Sequence, residues 1–237
     1  MTASLESKLS DRVATIGDVR AHQYSFSPHK FLVLHNFMPR EFVQTYLLPE
    51  VEKCEPWVHR VNVSTFKKSG SVSSQRIKEH APHLYAMYHS NTLKNFFEAI
   101  IGETLHPCPE QDPHAVALYH YTEPGDHIGV HYDKSFYRGR RYTVLFGLIQ
   151  DSVASKLVCY PGASKANRRK NPLEIMTHPG TLVIFEGNSL WHEVTPLAAN
   201  EKRVILTMEY VTDQRMSTVS RWVSHLKDRW LYFGKNK

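Results

Sequence analysis

The residues of this chain best suited to chemistry are His131, Asp133 and His192. In an extended strand, positions i and i+2 point to the same side, so His131 and Asp133 would project together. A second strand that pairs back onto the first could bring His192 to the same place. Two imidazoles and one carboxylate occupy one face of a metal ion and leave its other positions open, which suits a non-haem ferrous ion.

Each of these residues also has an ordinary explanation. The chain has 15 histidines, Asp133 could form a turn with Lys134, and His192 could be a packed residue that donates to a carbonyl. The metal site is favoured by Arg203, which opens the apolar run Val204-Ile205-Leu206. A guanidinium buried in such a strand is costly unless it meets an anion, and its planar fork matches a carboxylate. We therefore expect a 2-oxo-dicarboxylic acid to bind beside the metal.

The segment that carries these residues has the pattern of short strands separated by turns. Glu123-Pro124-Gly125-Asp126, Pro161-Gly162 and Pro179-Gly180 are turn sequences. Such spacing favours an antiparallel barrel or sandwich, and a small barrel can hold one ligand in its mouth. The expected strands cover residues 115–121, 127–133, 141–149, 156–160, 173–177, 181–185 and 203–211.

The segment before residue 115 is expected to be mainly helical. An early strand is predicted at 31–34, and apolar spacing of three and four predicts helices at 41–54 and 83–105. The Ser-, Lys- and Gly-rich stretch 65–74 is expected to be a mobile loop. Residues 217–231 predict a helix that caps the barrel. We therefore expect one domain over 1–237, with helical support and an early strand at 1–114, the barrel core at 115–213 and the C-terminal helix at 214–237.

Composition is that of an ordinary globular protein. The chain has 237 residues, of which 41% are hydrophobic and 22% charged. Three cysteines without a C-x-x-C spacing predict a reduced, cytoplasmic protein, and we find no signal peptide and no apolar run long enough for a membrane span. The net charge of +6 is attributed to dispersed surface Lys and Arg, with a cationic pocket for an anionic ligand, rather than to a polyanionic partner.

The His131-Tyr132-Asp133 motif, the strand at 180–185, the stretch 191–196 and Arg203 together resemble the 2-oxoglutarate/Fe(II)-dependent dioxygenase superfamily, over roughly residues 115–213. The resemblance implies an all-β core with flanking helices, in the form of a double-stranded β-helix. It also implies that His131, Asp133 and His192 bind Fe(II), that Arg203 anchors 2-oxoglutarate, and that O2 is the oxidant. Further contacts to 2-oxoglutarate are expected from Thr207, which shares the face of Arg203, and from Tyr119, Thr143 or Arg76.

A narrower resemblance is carried by residues 117–121, the His131-Tyr132-Asp133 strand, 157–159 and 191–192, which are similar to the free-amino-acid radical halogenases and their hydroxylase relatives. In those halogenases a small residue replaces the metal carboxylate so that chloride can bind iron. This chain keeps Asp133, which implies hydroxylation of an unactivated C–H, with release of succinate and CO2. Lys134 stands where the lysine-specific enzymes have an acidic group nearby, which argues against lysine as the substrate.

Two other functions remain open. A nucleic-acid demethylase of the same superfamily would suit the positive charge, but it would carry an Arg-x-Asn-x-x-x-x-x-Arg pattern after the distal histidine, and here Arg203 is followed by Val204-Ile205-Leu206-Thr207. A non-catalytic metal-binding barrel would have little use for Arg203. We therefore expect a small-molecule substrate, an amino acid or a derivative, and no nucleic-acid or membrane partner. Side chains that could contact substrate or serve the fold are Glu123, Asp126, His127, Lys134, Glu209 and Trp222.

Overall fold

A computed structural model describes residues 2–63 and 65–216. Within them, twelve antiparallel strands form one curled sheet in the order β1-β10-β7-β12-β5-β3-β6-β11-β8-β9, with β2 added to β3 and β4 to β12. The strands are β1 Phe31–Leu34, β2 His59–Val63, β3 Lys67–Val72, β4 His106–Pro107, β5 Val116–Tyr121, β6 His127–His131, β7 Arg141–Asp151, β8 Leu157–Tyr160, β9 Leu173–Ile175, β10 Leu182–Glu186, β11 Trp191–Val194 and β12 Lys202–Val211. This is the half-barrel of a double-stranded β-helix, so the predicted fold is confirmed.

Helices pack against strands β5, β7, β10 and β12 in the main hydrophobic core. They are α1 Thr2–Thr15, α2 Val19–Phe26, α3 Arg40–Phe42, α4 Leu48–Cys54, α5 Ser74–His80, α6 Pro82–Tyr88 and α7 Asn91–Ile101, with a π-helical turn at Val43–Leu47 and a 3-10 turn at Glu55–Trp57. Helix α7 begins at Ser90, whose hydroxyl accepts from the Leu93 N–H at 3.1 Å, and ends at Gly102 with a left-handed φ of 79°. None of the described helices is long and apolar enough to cross a membrane.

Strand β12 shows how the sheet separates the main core from the pocket. Its outward side chains, such as Val204, Leu206 and Met208, pack with the helices in the main hydrophobic core. Its inward side chains alternate with these, because successive residues of a strand face opposite sides. Arg203 and Glu209 therefore lie on the concave face, where polar groups can meet a ligand.

Several sequence-based boundaries were wrong. Residues before 115 supply four strands and not one, and the expected loop at 65–74 contains β3. No apolar period marks β3 in the sequence, because close packing requires small residues there. A Cβ at Gly70 would lie 2.5 Å from Val58 Cγ1, and Ser69 and Ser71 are fully buried. The helix expected at 83–105 is broken at Ser90, and β6 ends at His131. The predicted C-terminal helix, with Trp222, lies outside the described residues.

Candidate metal centre and cosubstrate pocket

The three candidate metal ligands meet at one end of the concave face. Strand β11 pairs with β6 so that His192 lies directly opposite His131. Asp133 follows β6 and is fixed by its backbone N–H, which donates to Gly187 O at 2.7 Å. Asp133 Oδ1 lies 3.5 Å from His131 Nε2 and 3.7 Å from His192 Nε2. Atoms from all three residues come within 4.8 Å of one another, which is compact enough for one ion.

Backbone carbonyls orient both imidazoles. His131 Nδ1 lies 2.9 Å from Gly129 O, and His192 Nδ1 lies 3.1 Å from Leu190 O. A proton on each Nδ1 satisfies these contacts and leaves the Nε2 lone pairs directed at the centre. Burial and the neighbouring His131 lower the pKa of His192 to about 4. The His192 imidazole is therefore neutral near pH 7, as metal binding requires.

Asp133 is held by both of its oxygens. Oδ1 faces the two histidines, and Oδ2 accepts a hydrogen bond from Thr143 Oγ1 at 2.7 Å. Burial opposes ionisation of Asp133, but His192, His131 and Arg141 outweigh it and keep the pKa of the carboxyl well below its usual range. Gly187 is required for this packing, because a Cβ there would lie 2.5 Å from Thr143 Oγ1 and 2.9 Å from Asp133 Oδ2.

Arg203 is a buried cation that meets no carboxylate among the described residues. Its side chain is one of the largest that are fully buried there, at 1% exposure. Nε contacts Gln150 Oε1 and Thr177 Oγ1, both at 3.2 Å, and Nη2 donates to Thr177 Oγ1 at 3.1 Å. Within the part of the chain that the structure describes, Nη1 has no hydrogen-bond partner, and no carboxylate forms an ion pair with Arg203. Burial lowers its pKa, although the Tyr121 side chain favours the charged form. Such a group calls for an anion.

One cavity of about 370 Å³ joins Arg203 to the three candidate ligands. Of the further contacts expected for 2-oxoglutarate, Tyr119, Thr143 and Thr207 line this cavity. Arg76 lies elsewhere: its guanidinium pairs with Glu79 at 2.8 Å and stacks 4.0 Å from the centre of the Trp57 ring. It lies on helix α5 and not on a mobile loop.

Gln150, Thr177 and Arg141 were missed by sequence reasoning, whereas Glu209 was among the side chains considered for substrate contact. Gln150 and Thr177 orient Arg203, and Arg141 pairs with Glu209 in the cavity wall, with Nε 2.9 Å from Oε2. Burial and Asp133 raise the pKa of Glu209, while the Arg141 guanidinium favours the carboxylate and opposes this shift. Glu209 lies in the cavity wall, as its expected role in substrate contact requires, because positions 203, 205, 207 and 209 of β12 share a face.

The remaining residues considered for substrate contact fall into two groups. Lys134 lines the cavity. Asp126 is buried and bound by Arg60, and Glu123 pairs with the same guanidinium at 3.0 Å. His127 Nδ1 lies 2.8 Å from Gly125 O. Asp126, Glu123 and His127 thus stabilise the turn between β5 and β6.

Family models agree with this fold and this site. Residues 116–210 match the model of the 2OG-Fe(II) oxygenase superfamily, and the chain belongs to that superfamily, whose members use Fe(II), 2-oxoglutarate and O2. Residues 15–138, just over half of the chain, match the model of Halogenase D. Within the superfamily the protein therefore belongs to the Halogenase D family, which agrees with the narrower resemblance seen in the sequence.

Solved structures show the same fold at low identity. The non-haem α-ketoglutarate-dependent epimerase SnoN from nogalamycin biosynthesis has a TM-score of 0.68 and 10% identity, covering 81% of this chain and 80% of its own. A Pseudomonas putida prolyl-4-hydroxylase has a TM-score of 0.59 and 14% identity, and the match covers 82% of this chain and 98% of the hydroxylase. A Trichoplax adhaerens prolyl hydroxylase has a TM-score of 0.63 and 17% identity, and the match covers 87% of this chain and 93% of the hydroxylase. No curated protein sequence matches the chain.

Proposed function

We propose that this oxygenase hydroxylates an unactivated C–H of a free amino acid or a close derivative, with release of succinate and CO2. In this proposal His131, Asp133 and His192 hold Fe(II), and Arg203 binds the distal carboxylate of 2-oxoglutarate. The observation that carries it is the pairing, within one cavity, of a complete two-histidine, one-carboxylate set with a buried arginine that has no carboxylate partner among the described residues.

The residues fit both groups. For the metal, carbonyls fix the two imidazoles through Nδ1 and leave Nε2 available, and Asp133 supplies a negative charge. For 2-oxoglutarate, the unpartnered Nη1 of Arg203 provides a donor that a carboxylate would satisfy. Bound Fe(II) with 2-oxoglutarate and O2 supplies the oxidising power needed to attack a C–H, which no side chain could provide.

The chain's own residues bind, orient and exclude water. Gln150 and Thr177 hold the Arg203 guanidinium before any ligand arrives, so little ordering is required when the carboxylate binds. Thr207 and Tyr119 line the path between Arg203 and the metal ligands. The apolar side chains of Leu145, Phe185 and Ile205 also line the cavity and belong to one hydrophobic cluster. They keep water from the reacting groups.

Hydroxylation rather than halogenation is supported by Asp133. Its carboxylate would provide the third protein ligand to the metal, in the place that a halide would otherwise need, and its negative charge would repel an anion. Thr143 donates a hydrogen bond to this carboxylate, and Gly187 O accepts from the Asp133 backbone N–H, so both the side chain and the backbone of Asp133 are fixed.

A free amino acid is supported by the resemblance to the free-amino-acid halogenases and by a cavity that presents both signs of charge. Arg141 and Lys134 are cationic, and Glu209 and Asp112 are acidic. A nucleic-acid substrate has less support, because the pocket has no basic channel in the described residues that could follow a phosphate backbone. The cytoplasmic location and the single-domain organisation stay predictions from the sequence.

The test is succinate formation from 2-oxoglutarate by the purified chain with Fe(II) and O2, with and without free amino acids. We expect stimulation by at least one amino acid and a product heavier by one oxygen atom in mass spectra, even with excess chloride. A chlorinated product would overturn the hydroxylase assignment. Stimulation by a methylated oligonucleotide, and not by amino acids, would favour the demethylase alternative.

A further inference from the structure

The wall of the cavity beside the candidate metal ligands contains a buried ion pair, Arg141–Glu209, that the reaction as proposed so far does not use. Arg141 Nε and Glu209 Oε2 are 2.9 Å apart, and the two side chains are 13% and 5% exposed. Both line the cavity. A buried ion pair is weak evidence of a stabilising role, since apolar residues of similar size often stabilise as well or better.

The pair uses only part of its hydrogen-bonding capacity. Among the residues that the structure describes, Glu209 Oε2 makes both protein contacts of this carboxylate: it accepts from Arg141 Nε, and it lies 2.9 Å from Thr143 Oγ1, whose one proton it shares with Asp133 Oδ2. Within the described residues, neither Nη atom of Arg141 has a hydrogen-bond partner, and neither has Glu209 Oε1. The cavity wall therefore presents a guanidinium edge and a carboxylate oxygen on either side of the Nε–Oε2 contact.

We propose that this pair binds the zwitterionic end of the substrate, with the Nη groups of Arg141 on the α-carboxylate and Glu209 Oε1 on the α-ammonium. An α-amino acid carries these two charges on one carbon, so a cation and an anion held side by side match it. The proposal rests on the proposed function, and it assigns to two residues the recognition of a free amino acid.

The position of the pair suits a substrate and not the cosubstrate. Arg203 and Glu209 share the concave face of β12, but six residues at about 3.3 Å each place their Cα atoms roughly 20 Å apart along the strand. Glu209 instead adjoins the metal ligands, because Thr143 Oγ1 lies 2.9 Å from Glu209 Oε2 and 2.7 Å from Asp133 Oδ2. The zwitterion would therefore be anchored beside the metal, with Arg203 left to 2-oxoglutarate.

The first experiment asks whether the protein distinguishes free from blocked amino acids. Succinate formation is measured for the full chain with Fe(II), 2-oxoglutarate and O2, and with each proteinogenic L-amino acid, its N-acetyl form and its carboxamide. We expect an amino acid that stimulates turnover only when both its charged groups are free. Equal stimulation by a blocked form would overturn the proposal.

The second experiment uses variants of the pair. Arg141→Lys keeps the charge but removes the Nη fork, and Glu209→Gln keeps an acceptor but removes the charge. Each should raise KM for the stimulating amino acid roughly 10- to 150-fold, as expected for the loss of one charge-assisted contact. KM for 2-oxoglutarate should stay within about twofold. Calorimetric titration of the same amino acid into protein loaded with Mn(II) and 2-oxoglutarate should show the same loss without turnover.

Matched controls are available at the neighbouring position. Arg140 is adjacent in sequence, is exposed, and pairs with Glu103 outside the cavity. Arg140→Lys and Glu103→Gln should leave both KM values unchanged. If a single variant of the buried pair fails to fold, Arg141→Met combined with Glu209→Gln removes both charges together, and it should fold while losing amino-acid binding.

The outcomes separate this inference from the proposed function. Stimulation by a free amino acid with an unchanged KM in the Arg141 and Glu209 variants would overturn the role of the pair alone. Weaker Mn(II) binding with an unchanged affinity for the amino acid would do the same, and would make the pair a support for Asp133. Turnover of 2-oxoglutarate with no stimulation by any free amino acid would overturn the proposed substrate class, and this inference with it.

Discussion

Replacing Arg203 with Met should have opposite effects on cosubstrate binding and on the stability of the free protein. The Met side chain keeps much of the apolar stem, so packing should survive. The variant loses the charge-assisted contact to the distal carboxylate of 2-oxoglutarate. That loss should weaken binding by about 2–4 kcal/mol, which is roughly 30- to 1,000-fold.

The same substitution should raise the free energy of unfolding of the ligand-free protein. It removes a guanidinium that is buried without a carboxylate partner among the described residues, and whose Nη1 is unsatisfied. Little is left unpaired, because Thr177 Oγ1 also donates to Gln150 Oε1 at 3.1 Å. With the lost Arg203 hydrogen bonds set against the relief of an unpaired buried charge, we expect a net gain of about 1–3 kcal/mol. For a chain of this length that is roughly 2–10 °C in Tm.

Arg60→Met is the matched control, because it removes an arginine that does have a carboxylate. Arg60 Nη1 and Nη2 lie 2.9 and 2.6 Å from the two oxygens of Asp126, which is fully buried. Loss of its arginine partner would leave the buried Asp126 carboxylate without a cation, which should lower the free energy of unfolding by about 3 kcal/mol.

Thermal denaturation with Mn(II), with and without 2-oxoglutarate, measures all of these effects. At 100 times its Kd, 2-oxoglutarate should stabilise the wild type by about 2.7 kcal/mol, and Arg203→Met much less. If Arg203→Met is less stable than the wild type without ligand and is still stabilised by 2-oxoglutarate, the reasoning is refuted.

Three further predictions concern the metal ligands, their packing and a buried histidine. His131→Ala or His192→Ala should abolish iron-dependent succinate formation while circular dichroism stays native, and more than a few percent of residual turnover would remove that residue from the ligand set. Gly187→Ala should weaken Mn(II) binding in calorimetry, because its Cβ would approach Asp133 Oδ2 within 2.9 Å; unchanged affinity would show that the ligand relaxes freely. Burial lowers the pKa of His120 in the folded protein to about 4. As pH falls below 6.5, His120 therefore takes up a proton in the unfolded state before it does so in the folded state. The free energy of unfolding should drop by about 3 kcal/mol by pH 4 for this reason. His120→Phe should remove that part of the drop in urea titrations, and an identical pH profile would contradict the shift.

The barrel and the set of candidate metal ligands could be read from the sequence because both depend on short-range pattern. Alternation along the strands after residue 115 defines the concave face, and His131 and Asp133 share a side by their spacing alone. His192 follows from the antiparallel return of β11 onto β6. Arg203 could be identified because a charged residue at the start of an apolar strand is costly to bury unless it binds an anion.

The groups that support the site could not be predicted in the same way. Gln150 and Thr177 are neutral polar residues on different segments, and only the closed barrel brings them to Arg203. Gly187 matters through a steric contact with Thr143 and Asp133, which leaves no mark in the local sequence. Strand β3 was missed for a similar reason, because tight packing selected Ser and Gly where β-branched residues would have signalled a strand.

A crystal structure of the protein, grown without O2 in the presence of Mn(II) and 2-oxoglutarate, would show directly which residues bind the metal and the cosubstrate. We expect density for one metal ion bound by His131, Asp133 and His192, with the distal carboxylate of 2-oxoglutarate on Arg203. A metal ion bound elsewhere, or 2-oxoglutarate with its distal carboxylate on Arg141 and Arg203 still unpaired, would contradict this expectation.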